Sequence, residues 1–163
     1  MRHGVSAGVF FGGVMKFSEI LWGWYGQDEY GRVFSVCEGL QALDFLAMTA
    51  DLQRCGIPYC PACETWSEVM LPLERTLTAC GSALPAEIRT RLQLLWEQCN
   101  ALTDAAFHCD DWFMFDHEEW QPLRTTAAAL MQLMDWEEIE PFREQLLEDC
   151  RNAIRGVKPR VCE

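Results

Sequence analysis

Residues 116–154 read DHEEWQPLRTTAAALMQLMDWEEIEPFREQLLEDCRNAI, and their spacing decides the fold class. Trp120, Leu123, Ala127, Leu130, Met131 and Met134 recur at helical intervals, and Ile139, Phe142, Leu146, Cys150 and Ile154 follow the same rule. Each set is an apolar stripe that needs a partner surface. Asp116-His-Glu-Glu-Trp-Gln-Pro-Leu-Arg124 returns 19 residues later as Asp135-Trp-Glu-Glu-Ile-Glu-Pro-Phe-Arg143. In both copies, Asp followed three places on by Glu has the form of a capping box, with carboxylates at the positive end of a helix dipole. Two copies are too few for a solenoid, so the repeat reads as two helices sharing one start chemistry.

Working outward, Trp66, Val69, Met70, Leu73, Leu77 and Cys80 form a third stripe, and Ile88, Leu92, Leu95, Trp96, Cys99 and Leu102 a fourth. A further helix is expected over about Leu40 to Arg54, stopped by Gly56 in a left-handed conformation. Gly81, Pro85 and Gly156 punctuate the others. Val33, Phe34 and Val36 give the one β signal, a short N-terminal element that cannot make a sheet alone. The expectation is an all-α, single-domain bundle of about five helices over residues 15–163, preceded by a loose extension over residues 1–14. That extension is too short to span a bilayer, and no small-residue cleavage site follows it.

The formal net charge is −12, and its distribution carries more information than its size. Residues 104–149 hold 13 acids against Arg124 and Arg143, a net −11. A field of that sign repels nucleic acid and anionic lipid and attracts basic proteins. A nucleic-acid or membrane partner is therefore set aside and a basic protein partner expected. Nine cysteines, odd in number and irregularly spaced, read as reduced thiols in a cytoplasmic protein.

Two segments carry candidate chemistry. His108-Cys-Asp-Asp-Trp-Phe-Met-Phe-Asp-His-Glu-Glu-Trp120 mixes acids with aromatics and holds no Lys or Arg. Aromatic anchors among carboxylates suit protein recognition. The expected contacts are Asp110, Asp111, Trp112, Phe113, Phe115, Asp116, Glu118 and Glu119, with Glu137, Glu138 and Glu140 as a second acidic edge. The competing reading is an interhelical loop whose rings join the core. His108, His117 and the nearby carboxylates form no Glu-x-x-His or His-Glu-x-x-His pattern.

The second segment holds Cys55, Cys60 and Cys63. A Cys-x-x-Cys turn can supply two thiolates to zinc, with Cys55 as a third ligand and a fourth to come from afar. A redox pair would open a helix in a strand–helix setting, which the flanking sequence lacks. No nucleophile elbow or phosphate-cradling loop is present, so the leading expectation is no enzyme and no cofactor. The function expected is that of an inhibitor or immunity-type protein that neutralises a toxin, nuclease or other basic effector. The alternative is a zinc-stabilised or redox-active helical protein built on Cys55, Cys60 and Cys63.

Overall fold

In the computed structural model, which describes residues 13–157, one helix stands at the centre of the packing. This is α2 (Tyr30–Ala47), packed against α5 (Leu71–Cys80), α7 (Trp120–Leu133) and α9 (Arg143–Ile154). Its Val33, Val36, Cys37, Leu40, Leu43 and Leu46 are buried and cover one broad side of the helix, while Gly31 and Gln41 on the other side stay exposed. The β element expected at Val33, Phe34 and Val36 is thus the first turns of the central helix, and no strand occurs among the described residues. The β-branched residues serve here to fill a core, where packing overrides their mild preference for strands.

Against this axis stand α1 (Phe17–Gly26), with Phe17, Leu21 and Trp24 inward, and α6 (Ala86–Asn100), which packs on α5 and α7. Shorter helices α3 (Ala50–Gly56), α4 (Pro61–Thr65) and α8 (Trp136–Ile139) complete the set, more pieces than the five expected. The expected Leu40–Arg54 helix is broken at Met48 and Thr49, where the Thr49 hydroxyl caps α3 by accepting from Leu52 N–H. Gly56 is not in the left-handed region, whereas Gly81 and Gly156 are. Pro72 lacks an N–H and would strike the Glu68 carbonyl in a regular helix. The chain widens into a π turn over Trp66–Met70 just ahead of it. Of the expected 1–14 extension, residues 1–12 lie outside the described residues.

Where α2 crosses α5, Gly39 faces Thr76. A Cβ at Gly39 would lie 2.4 Å from the Thr76 hydroxyl oxygen, so only glycine permits this approach. That hydroxyl lies 2.8 Å from the Ser35 carbonyl and 2.9 Å from the Pro72 carbonyl, tying the two helices together.

The end of α2 creates the sharpest demand, because its last carbonyls point into protein. Gln53, wholly buried, donates through Nε2 to the carbonyls of Phe45 and Leu46. Arg124 of α7 donates from Nε to the Met48 carbonyl at 3.1 Å and from Nη2 to Gln53 Oε1 and the Phe115 carbonyl. Burial pushes the Arg124 pKa downward, with Asp116 opposing the shift. One guanidinium thus closes three backbone or amide acceptors at once. Replacing it by methionine, which keeps the stem but not the donors, is expected to cost about 2–4 kcal/mol in urea denaturation. A loss below about 1 kcal/mol would contradict this account of the α2 terminus.

Candidate functional site

The repeated Asp-x-Glu-Glu motif does not cap its own helices. Asp135 sits in the left-handed region and its carboxylate instead accepts from Ser18 N–H at 2.9 Å, at the start of α1. Glu138 accepts from the Ser18 hydroxyl and from Lys16 Nζ, at 2.9 and 2.6 Å. The Lys16 hydrogen bond and charge hold the Glu138 carboxyl below its ordinary range, with Ser18 assisting. Pro141 then interrupts the second copy, and a 3-10 turn over Glu140–Phe142 separates α8 from α9. These acids dock one helix end onto another element.

The segment from Thr103 to Glu119 is a strap fastened at both ends. Glu119 accepts from the Thr103 N–H at 2.8 Å and from its hydroxyl at 2.7 Å, which lowers the Glu119 pKa. The buried Trp120 donates its indole N–H to the Ala106 carbonyl at 2.8 Å. Trp112 is half-buried and donates to the Ile57 carbonyl at 2.8 Å, and Phe115 is wholly buried against Phe45 and Trp120. Phe115 is therefore unavailable to a partner, and Trp112 is held by its polar end. Their rings fill the apolar space between α2, α3 and α7, which outweighs any gain from leaving them in water.

Asp111 and Asp116 of the strap are engaged as well. Asp116 pairs with Arg54 of α3 at 2.5 Å, and Arg54, which also pairs with Asp51, lies over the Phe113 ring at 4.9 Å. Asp111 accepts from the Phe113 N–H and lies 3.1 Å from His108 Nε2. Asp110, in the left-handed region, stays exposed, as do Phe113 and Glu118.

The strap's course delivers Cys109 to the Cys-x-x-Cys turn. The Sγ atoms of Cys60, Cys63 and Cys109 all lie within 4.8 Å of one another, with Cys63 and Cys109 at 3.7 Å. Cys55 is exposed on α3 and does not belong to the group, so the expected set of Cys55, Cys60 and Cys63 is corrected to Cys60, Cys63 and Cys109. The pair does open a helix, contrary to the flanking pattern. Cys60 is the N-cap of α4, Pro61 follows it, and Cys60 Sγ accepts from Cys63 N–H at 3.5 Å. That bond, then those with the Cys109 and Cys63 thiols, lowers the Cys60 pKa. Cys109, as the proton donor to Cys60, is pushed up to about 12. By contrast burial is the main cause that raises Cys37 and Cys99 to about 12 and Cys80 and Cys150 to about 11, as befits core hydrophobes.

The second acidic edge stands differently. Glu137, Glu138 and Glu140 are all exposed. Close by, Phe142 and Trp22 are exposed and meet edge to face, with ring centroids 5.5 Å apart. Arg143 is half-buried and donates to Gln41 of α2 at 3.2 Å. A shallow groove of about 450 Å³ shares this edge, with Ala47, Ala128, Met131 and Trp136 as floor and Asp135, Glu137 and Glu138 among its rim. The Trp22–Phe142 pair was absent from the expected contacts, although Phe142 stood in the helical stripe. Its apolar position gave no sign that a 3-10 turn would rotate it outward.

Two outcomes follow from the strap. Trp112→Phe keeps an aromatic ring, smaller than the indole, but orphans the Ile57 carbonyl, and should cost about 1–2 kcal/mol in thermal or urea unfolding; unchanged stability would contradict the anchor. Glu119 binds its proton less readily folded than unfolded, so its contribution is present above its ordinary pKa of 4.5 and fades as pH falls through the lowered folded value. Carboxyl NMR titration should find Glu119 below that value and moved back toward it in Thr103→Ala; an unshifted wild-type titration would refute the tie. No protein-family model matches the chain, and no curated protein and no solved structure matches it either.

Proposed function

We propose that the chain is a protein-binding module that seats a basic partner on the edge formed by Glu137, Glu138 and Glu140, with Trp22 and Phe142 as its anchor. The observation that carries this reading is the exposed Trp22–Phe142 pair standing beside carboxylates. Large rings left in water are worth burying, and aromatic anchors ringed by polar groups carry most of the energy in protein interfaces. Glu137 and Glu140 have no ion pair among the described residues, and Glu144 and Glu148 extend the negative surface along α9.

The rings would hold the complex and the carboxylates would speed its formation. Asp110, Phe113 and Glu118 supply a second, smaller exposed set on the strap. Such a surface suits an inhibitor or immunity-type protein that covers the basic working face of a toxin, nuclease or other effector. Among the described residues no helix is long and apolar enough to cross a membrane.

The test is kinetic. A basic protein captured from the native host should associate about ten-fold more slowly with the Glu137→Gln, Glu140→Gln double variant, which leaves the Glu138 contacts to Lys16 and Ser18 intact, and added salt should slow the wild type similarly. Phe142→Ala should raise the dissociation rate about ten-fold without lowering stability. Unchanged kinetics in both variants would remove this edge as the docking site.

A further inference from the structure

The three clustered thiols are independent of the docking edge and have a geometry of their own. At 3.7 Å, the Cys63 and Cys109 sulfurs are in contact but not bonded, since a disulfide sets them about 2.05 Å apart. A tetrahedral zinc ion with Zn–S bonds of about 2.3 Å instead sets its sulfurs about 3.8 Å apart. The observed separation matches that edge. With Cys60 inside the same 4.8 Å group, three sulfurs are close enough together to serve as one face of a tetrahedron around a single ion.

We propose that Cys60, Cys63 and Cys109 hold one Zn²⁺ as three thiolates, with the fourth position open to water. No fourth Cys, His or carboxylate joins the cluster among the described residues. Three protein ligands with an exchangeable fourth is the arrangement of zinc sites that stay accessible to small molecules. Thiolates are soft donors, so the site selects zinc over magnesium or calcium. Each protonated thiol releases its proton to solvent as its S–Zn bond forms.

Two further features favour this occupant. Cys63 and Cys109 are exposed and Cys60 half-buried, so an ion can enter without unfolding the protein. The ligands also come from two separately anchored segments. Cys60 and Cys63 begin the long helix α4–α5, while the Trp112 and Trp120 indoles pin either side of the Cys109 loop. The sulfurs are thus preorganised at a sequence distance of 46 residues.

The experiment uses the full chain, reduced, stripped with chelator and freed of it, then titrated with Co²⁺ followed by Zn²⁺. The expected result is a thiolate-to-cobalt charge-transfer band that saturates at one equivalent with the intensity of three thiolates and is erased by Zn²⁺. Cys63→Ser and Cys109→Ser should each weaken binding about 100-fold or more, while Cys55→Ser leaves it unchanged. Circular dichroism of each variant checks its fold. If Cys109→Ser fails to fold, the thiolate count in the wild type decides alone. A wild type without the band, a count other than three, a band that survives Cys109→Ser in folded protein, or loss of binding in Cys55→Ser overturns the proposal.

Discussion

A central helix packed against other helices must have its apolar surface covered and its buried terminal carbonyls answered, and α2 imposes both demands on the rest of the chain. The first brings α1, α5, α7 and α9 around it and leaves Gly39 as the point of closest approach. The second recruits Gln53 from α3 and Arg124 from α7 to its C-terminal end. Arg124 also takes the Phe115 carbonyl, so the strap is tied to the same junction. Core, cap and strap are therefore one connected arrangement, and the thiol cluster lies at its edge.

The acids of this protein divide by what they touch. Asp135, Glu138, Asp116 and Glu119 serve as docking groups, each binding a backbone N–H, a hydroxyl or a cation on a different element. Their net effect on the surface field persists, because a carboxylate with a backbone partner keeps its charge. Glu137, Glu140, Glu144 and Glu148 remain on the outside and give the α8–α9 side its character. Charge density in the sequence thus reported two different uses of the same residue type.

The one-sided helices were legible because water on one face and protein on the other produce a period in the sequence. The stripes of α5, α6, α7 and α9 are of this kind. In α2 the contrast is blurred, since Phe34 and Phe45 add rings to the side that carries the exposed Gln41, and the run Val33-Phe34-Val36 imitates a strand. The α1 stripe of Phe17, Leu21 and Trp24 was present but broken up by Gly23 and Gly26. Helix starts were misread where the capping carboxylate works across space, as Asp135 does for Ser18. Cys60 and Cys63 were found by their spacing, whereas Cys109 joins them through a tertiary contact that no local pattern records. The aromatic run 112–115 had two physical destinies, interface or core, and only the positions of Ile57, Phe45 and Trp120 decide between them.

The central claim is that the strap is a fixed part of the fold that holds Cys109 in place. Hydrogen exchange at the indole N–H groups of Trp112 and Trp120 tests it most directly, because both are committed to backbone carbonyls on other segments. Slow exchange is expected at both sites, with Trp120 the slower because it is fully buried. Exchange at both positions as fast as in a free indole would contradict it, for the strap would then be unfastened and the thiol cluster without its frame.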